Sequence, residues 1–317
     1  MAEKSKNSSF RTSIGGQALI EGILMRGPKK QSIVCRTKDG IVEKVEEIPR
    51  LRDKYPILGW PLIRGSVVFL SSIINGMKAL SYSASLVPLE EQEEPDKFDK
   101  WIQAHFSEEK AQKIIIGAAV VMGFILAVLL FIFLPAFLVG LIKPLTGSYF
   151  VRNISEGAAR VIILLVYMKL CTLSPDVKRI FEYHGAEHKT IFCYEHGKEL
   201  TVANVRPESR FHPRCGTSFL LVVVLVSILV NSVVQLDNTF ARMGCHLLLL
   251  PVVVGISYEI NRWCGMHDNL LSTILSAPGK WLQRISTSEP DDGMMECAIR
   301  AMELVIPEEK GSDEWGK

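Results

Sequence analysis

Two histidines and a glutamate lie close together in the segment His184-Gly185-Ala186-Glu187-His188. Helical residues four apart share one face about one turn from each other, so both imidazoles could bind one metal ion. Glu187 could then accept a proton from a water molecule that the ion activates. The spacing therefore predicts a site for zinc or another divalent metal, with His184 and His188 as ligands and Glu187 as the catalytic group.

Further residues that could complete the metal site lie later in the chain. His212 and Cys215 supply an imidazole and a thiolate, both natural zinc ligands. Glu259 lies about 70 residues after the H-x-x-E-H motif, where inverzincin-type metalloprotease sites find a third ligand. If Glu259 is not a ligand, it is expected to form an ion pair with Arg262. If His212 and Cys215 are not ligands, they are expected to be a capping histidine and a buried thiol. Four protein ligands would make a closed, structural site, whereas three would leave a position open for water.

The motif is expected on a helix that points both histidines inward. Ser174, Pro175 and Asp176 have the residue types of an N-cap, a first helical residue and a first-turn acid, and Gly197 offers a stop. Both histidines fall on the apolar stripe of this helix. The metal-free alternative is a pair of histidines that are hydrogen-bonded inside a polar cavity.

Hydropathy predicts a mainly α-helical multi-pass membrane protein. The chain has 317 residues, of which 48% are hydrophobic, and its mean hydropathy is +0.21. Apolar runs at 114–142, 158–173, 219–236 and 245–260 predict four spans, with Arg160 and Lys169 snorkelling from the ends of the second run. The stretch 62–87 carries Arg64 and Lys78 and predicts an interfacial or re-entrant helix instead of a full span.

Ahead of these helices, the sequence predicts a small cytoplasmic β element. Its β-like runs are 17–25, 31–37 and 41–48, and Asp39-Gly40 marks a hairpin between the last two. Glu21 and Arg26 stand isolated in the first run. They are expected either to pair on a solvent-facing strand or to reach the metal region.

The distribution of Lys and Arg predicts the orientation in the cell membrane. Four spans would put both termini and the metal motif on one side, where the motif loop is rich in basic residues, and two short loops on the other. The excess of positive charge around the motif predicts that this side is the cytoplasm. The expected partner is the lipid bilayer; the sequence has no basic stripe typical of nucleic-acid binding, and it leaves protein partners and homo-oligomerisation open.

The predicted organisation follows from these elements. It comprises a disordered tail (1–11), the β element (12–58), a membrane-associated helix with an acidic linker (59–113), spans one and two (114–174), the metal-motif loop and helix (175–218), spans three and four (219–260), and a cytoplasmic tail with an amphipathic helix at 294–305 (261–317). Ala277-Pro278-Gly279 is expected to break the chain within that tail.

Several sequence blocks together resemble the YqhQ-like family of bacterial membrane proteins, a domain of unknown function. They are GGQALIEGILMRGP, EYHGAEHKTIFCYEHG, HPRCGTSF, GISYE and APGKWLQRISTSEPDD, and the resemblance runs from about residue 12 to about residue 305. Members are described as predicted metal-dependent enzymes. The resemblance implies metal chemistry at His184, Glu187, His188, His212 and Cys215, and it implies no substrate.

Three functions are consistent with these features. The first is a metal-dependent hydrolase, such as a peptidase, acting at the cytoplasmic membrane surface. The second is a non-catalytic scaffold or assembly factor in which zinc fastens the cytoplasmic loop to the spans. The third is a transporter or ion-handling protein, against which stands the near absence of ionisable residues from the predicted spans.

Overall fold

The computed structural model describes residues 10–48, 55–86, 97–141, 148–236, 238–267, 269–309 and 311–315. The strands are β1 (Gly15–Leu19), β2 (Gly22–Arg26), β3 (Lys30–Thr37) and β4 (Gly40–Glu47). The helices are α1 (Ile63–Ser85), α2 (Lys97–His105), α3 (Glu108–Val128), α4 (Leu134–Leu141), α5 (Tyr149–Cys171), α6 (Pro175–Glu195), α7 (Val202–Val205), α8 (Gly216–Asn231), α9 (Thr239–Met266), α10 (Leu270–Ser286) and α11 (Asp292–Glu303). A π-helical turn, Leu129–Phe133, joins α3 to α4.

The chain divides into two compact units. Unit 1 comprises Met1–Ser83, Met168–Val223 and Val254–Lys317, and it contains the sheet and the H-x-x-E-H motif. Unit 2 comprises Ala84–Tyr167 and Val224–Val253. Residues 1–9 of the predicted disordered tail and most of the predicted acidic linker lie outside the described residues. The disorder predicted for residue 11 is wrong, because the Arg11 guanidinium donates to the Gly265 carbonyl oxygen at 2.8 Å and the Arg11 carbonyl accepts the Trp315 N–H.

The sheet is an antiparallel meander in the order β1-β2-β3-β4. The predicted hairpin between β3 and β4 is confirmed, with Thr37 opposite Gly40 and a φ of +123° at Gly40. The prediction of one run over 17–25 is wrong, because the chain reverses at Ile20-Glu21 and Leu19 pairs with Gly22. A two-residue turn needs positive φ, and Glu21 adopts a φ of +49° there.

The core of unit 1 forms where α6 and α11 pack on the sheet. Tyr183 and Ala186 of α6, Ile23 and Val34 of the sheet, and Met302 of α11 are all fully buried in one cluster. The expected amphipathic helix at 294–305 is therefore confirmed as α11, and its apolar face is covered by the strands. This packing fixes α6, and with it the motif, against β1.

Within the described residues, two helical segments are long and apolar enough to cross a membrane, Gly117–Leu141 and Phe240–Met266. They match the predicted runs 114–142 and 245–260. A third span arises only if the bent pair α5 and α6 is counted as one, which leaves fewer than the four predicted spans.

The predicted span at 219–236 is the shortest of these helices. Helix α8 ends at Asn231 after 16 residues, and at about 1.5 Å per residue it is shorter than the ~30 Å hydrocarbon core. The Ser232 side chain helps to end it by competing for a backbone carbonyl group. The Ser232 hydroxyl donates to the Leu229 carbonyl oxygen at 2.6 Å.

Two further expectations concern α1 and α10. Helix α1 covers most of 62–87 and is not among the segments apolar enough to span, in keeping with the prediction. The break expected at Ala277-Pro278-Gly279 is wrong, since α10 continues through Pro278. Gly279 lies against Ser218, where a β-carbon would be 2.4 Å from the serine Cβ, so the glycine serves close packing of α10.

Unit 2 holds a buried polar cluster that the sequence analysis missed. Arg160 donates to the Ser227 hydroxyl at 3.1 Å and lies 2.9 Å from His246 Nδ1. Arg242 pairs with Glu156 at 2.7 Å. The snorkelling predicted for Arg160 is therefore wrong, because its side chain is turned into the helices and the residue is only 7% exposed.

Candidate metal centre

The motif residues are placed by α6, which begins at Pro175 after Ser174 as predicted and is followed by Gly197 in a left-handed conformation. The close approach at Gly185 is also as expected. A β-carbon at Gly185 would lie 2.1 Å from the Ser288 carbonyl oxygen, and the Ser288 N–H donates to the Phe181 carbonyl. Glycine thus allows the segment after α10 to lie directly on α6 beside the histidines.

His184, His188 and Cys215 form the centre of the candidate site. One ligand atom from each lies within 4.8 Å of the others, and His184 Nε2 is 3.1 Å from Cys215 Sγ. Ligand atoms lie about 2.0–2.3 Å from a zinc ion, so two ligands of one ion are at most ~4.6 Å apart. The 4.8 Å bound and the 3.1 Å contact therefore place the three donors near enough to one another to be candidates for one ion.

Backbone carbonyl groups fix the tautomers of both histidines. His184 Nδ1 lies 2.8 Å from the Ser286 oxygen, and His188 Nδ1 lies 2.6 Å from the Arg210 oxygen. A carbonyl oxygen can only accept, so Nδ1 carries the proton in each ring and Nε2 is left as the coordinating nitrogen. This arrangement of carbonyl groups behind the rings is typical of metal-binding histidines.

The three side chains also shift each other's pKa values. Burial alone would raise the pKa of Cys215, but the adjacent His184 and His188 hold it well below its usual value. Burial would lower the pKa of His184, but the Cys215 sulfur raises it to about 9. Cys215 is thereby kept as a thiolate, the form in which cysteine binds metals.

Glu187 lies buried beside these donors. Its Oε1 accepts the Gly16 N–H at 3.0 Å, and its buried Oε2 has no hydrogen-bond partner among the described residues. Burial raises the pKa of Glu187, against the opposing effect of His184 and His188. The result is a carboxylate held in place by one oxygen and available through the other.

His212 lies next to the trio but has partners of its own. Its ring is 5.6 Å from that of His188, while its Nε2 lies 3.5 Å from Glu195 and its Nδ1 accepts the Arg214 N–H. Burial lowers the pKa of His212 to about 4. Glu195 also binds the Arg214 guanidinium, so His212 stands in a separate buried ion-pair network.

Glu259 is the predicted ligand that the structure does not bring to the trio. Both its oxygens accept from the Arg64 guanidinium of α1, with Arg64 Nε at 2.7 Å from Oε1. An ion pair was the alternative expected for Glu259, but with Arg262 as its partner. Arg64 takes that place because α1 packs closely on α9, where Gly65 lies against Tyr258.

A cavity of about 610 Å³ opens beside the trio. His184, Glu187, His188 and Cys215 line one part of it, and residues of the sheet, of α1 and of the segment 212–217 line much of the rest. Arg26 also lines it, whereas Glu21 pairs with Arg179 of α6 at the hairpin. Of the two isolated charges in the first strand run, Arg26 therefore reaches the region of the motif.

Sequence reasoning missed the groups that position the side chains in and around the candidate site. These are the carbonyl groups of Arg210 and Ser286, the amide of Gly16, and Gln283, whose side chain binds both backbone groups of His212. Three of these groups are main-chain atoms, whose contacts cannot be predicted from the type of residue. The sequence features that could have indicated them are the glycine-rich opening, which contains Gly16, and the APGKWLQRIS block, which contains Gln283 and Ser286.

The donor set fits a metal ion. Two imidazoles and a thiolate suit zinc better than the oxygen-seeking Mg²⁺ or Ca²⁺. The Nδ1–H groups of His184 and His188 donate to carbonyl oxygens, and both nitrogens of His212 have partners of their own. Three protein ligands, His184, His188 and Cys215, therefore remain for an ion. A site with three ligands and one open position is the arrangement found in catalytic zinc centres.

Comparison with known proteins identifies a family and a relative of this chain. The family model described as "Protein of unknown function (DUF1385)" matches residues 60–308. The chain is 31% identical over 296 residues to the "Uncharacterized protein YqhQ" of Bacillus subtilis (strain 168), covering 92% of each chain. No solved structure matches. By both the family model and this relative, the chain belongs to the DUF1385, or YqhQ-like, family.

Proposed function

We propose that this protein is a membrane-bound, metal-dependent hydrolase with zinc at His184, His188 and Cys215 and with Glu187 as the general base. The observation that carries the proposal is the convergence of three lone-pair donors beside a buried carboxylate on a cavity wall. A zinc ion bound there would act as a Lewis acid and lower the pKa of a water molecule in the open position.

Glu187 is suited to proton transfer by its two unequal oxygens. The Gly16 amide holds Oε1, which orients the carboxylate, and Oε2 is available to accept a proton from water in the cavity. Its raised pKa, due chiefly to burial, brings the carboxyl closer to the neutral range in which a general base works best. The same group could return the proton to a leaving group.

The location proposed for this activity is the cytoplasmic face of the cell membrane. The apolar segments Gly117–Leu141 and Phe240–Met266 support membrane association. The excess of Lys and Arg around the motif supports a cytoplasmic position for it and for both termini. The bilayer is the proposed partner.

The scaffold alternative, with a structural zinc, has less support. It favours four protein ligands, and the fourth candidate, His212, is engaged by Glu195 and Arg214. The buried charges of unit 2 would support the transport alternative, but Arg242 and Glu156 are paired with each other. The open donor set of unit 1 favours the hydrolase.

The experiment compares the metal content of detergent-purified wild type, His188→Ala and Glu187→Gln by elemental analysis. We expect about one zinc per wild-type chain, loss of zinc from His188→Ala, and retention in Glu187→Gln. Hydrolysis of a mixed peptide library, read by mass spectrometry, should occur with wild type and be lost in both variants.

Two results would overturn the proposal. The first is folded wild type that neither contains nor retains added zinc. The second is undiminished hydrolysis by Glu187→Gln. Unfolding of the wild type on chelation, without any detectable hydrolysis, would support the structural-zinc alternative instead.

A further inference from the structure

Strand β1 has an edge that no other strand of the sheet pairs, between the side chains that α6 and α1 direct to it. It lies at the end of the sheet order, so only one of its sides pairs with β2. The two-residue turn closes on Leu19 and Gly22, and the alternation of an antiparallel ladder then directs the backbone groups of Gly16 and Ala18 away from β2. The bond from the Gly16 N–H to Glu187 confirms this direction.

The free groups of this edge are few and adjacent. The Gly16 amide is bound by Glu187 and the Ile20 amide donates to the Ser83 hydroxyl at 3.3 Å. Between them, the Ala18 N–H and the Gly16 and Ala18 carbonyl groups have no hydrogen-bond partner on that side among the described residues. A donor and two acceptors therefore stand along about 7 Å of strand.

This edge of β1 lines the same cavity as His184, His188 and Cys215. Gly15, Gly16, Gln17 and Ala18 line it together with Glu187. A β-carbon at Gly16 would lie 3.0 Å from Glu187 Cδ, so the strand passes the carboxylate as closely as glycine permits. A backbone paired to β1 would thus run directly past the proposed base.

We propose that β1 binds an extended segment of a polypeptide substrate by adding it as a fifth, antiparallel strand. This inference rests on the proposed hydrolase and names its substrate class, a peptide. Main-chain hydrogen bonds supply the binding in this mode of recognition, so an unpaired, extended chain is required and side-chain selectivity is secondary. The cavity volume of about 610 Å³ lies within the ~300–1,000 Å³ usual for ligand sites.

The first test measures peptide binding to the zinc-loaded full chain carrying Glu187→Gln, and to chelator-treated wild type. The probe is a fluorescein-labelled, end-blocked Thr-Val-Thr-Val-Thr peptide, followed by fluorescence anisotropy. Its partner probe has the same sequence with N-methyl groups on the central amides, which cannot donate to a strand edge. We expect the methylated peptide to bind at least about tenfold more weakly, and equal binding would overturn the inference.

The second test uses proline on each edge of the sheet. Ala18→Pro removes the outward N–H of β1 without touching its ladder with β2, a position where an edge strand tolerates proline. We expect roughly fivefold to tenfold weaker binding of the unmethylated peptide, with zinc content unchanged. Val45→Pro is the control, because the same alternation directs the Val45 amide outward from β4.

The two proposals fail in different ways. Peptide binding that depends on amide protons, in a protein that never retains zinc, would overturn the hydrolase and leave the strand-edge site. Zinc-dependent hydrolysis without affinity for either peptide would overturn the strand-edge site alone. If Ala18→Pro does not fold, the inference is decided by comparing the methylated and unmethylated peptides on the Glu187→Gln protein and on chelator-treated wild type.

Discussion

Two buried polar clusters, the trio His184, His188 and Cys215 of unit 1 and the ion-pair cluster of unit 2, differ in the kinds of groups they bring together. In unit 1, His188 is 1% exposed and Cys215 5%, and both offer lone pairs to a common point. In unit 2, Glu156 and Arg242 are each 1% exposed, and they form an ion pair with each other. Burial is equally deep in the two places, but in the second cluster the cation is an arginine, which stays charged, whereas in the first it is a histidine, which can lose its proton to bind a metal ion.

The difference indicates what each cluster needs. Arg160 of unit 2 finds acceptors in Ser227 and His246, while its buried Nε has no hydrogen-bond partner among the described residues. In unit 1 the Nδ1–H groups of His184 and His188 donate to carbonyl oxygens, and His184 Nε2 lies beside the Cys215 sulfur. Nε2 and Sγ are therefore the atoms that a metal ion would bind on displacing the Nε2 proton of His184. We therefore expect the unit 2 cluster to serve helix association and the unit 1 cluster to bind a ligand, as proposed above.

The largest effect is expected where a buried ion pair is broken. Arg242→Met leaves the Glu156 carboxylate buried without its partner, which should lower the free energy of unfolding by about 3–5 kcal/mol. Thermal and denaturant unfolding in detergent would measure the loss. The double variant Glu156→Gln with Arg242→Met should recover most of it, and a single variant as stable as wild type would show that the pair is not what holds these helices.

Zinc should act on unit 1 and spare unit 2. At a free concentration one hundred times its Kd, it should stabilise the folded chain by about 2.7 kcal/mol. Hydrogen exchange read by mass spectrometry should show slower exchange in α6 on zinc addition and no change in residues 149–160 of α5. His188→Ala should abolish the protection, and equal protection of both helices would contradict the contrast between the clusters.

Sequence patterns predicted the unit 1 site better than the unit 2 cluster, for a physical reason. Helix α6 carries its chemistry in a short local motif with clear start and stop signals, so Ser174, His184 and Gly197 sufficed to place it. The unit 2 cluster is assembled from three helices. Glu156 and Arg242 lie just outside the apolar runs, and only the observed starts of α5 and α9 include them.

The errors in the fold have similar causes. A two-residue reversal at Ile20-Glu21 carries no glycine or proline inside it, so the run 17–25 reads as one strand. Pro278 normally marks a helix boundary, but packing of Gly279 on Ser218 keeps α10 continuous. Tertiary contacts decided both cases, and they cannot be read from local residue types.

A smaller effect is expected from the backbone that positions His184. In Gly185→Ala, the new methyl group meets the Ser288 carbonyl oxygen and must displace the segment carrying the Ser286 carbonyl. Loss of such a supporting hydrogen bond costs about 10- to 100-fold in metal affinity. Competition with a chromogenic chelator would measure it, with Gly123→Ala as control because its β-carbon meets nothing within 4 Å. Unchanged affinity in Gly185→Ala would mean that the carbonyl does not orient the ring.

The smallest effect is expected at Glu259, where the sequence suggested a ligand and the structure has an ion pair. Glu259→Gln removes the charge that pairs with Arg64 and should cost about 1 kcal/mol in stability, since both side chains are partly exposed. The zinc content and the affinity in the chelator competition should equal those of wild type, because the carboxylate is directed to α1 and not to His184, His188 and Cys215. Loss of zinc from this variant would make Glu259 a fourth ligand, close the open position, and remove the main reason for preferring a catalytic over a structural site.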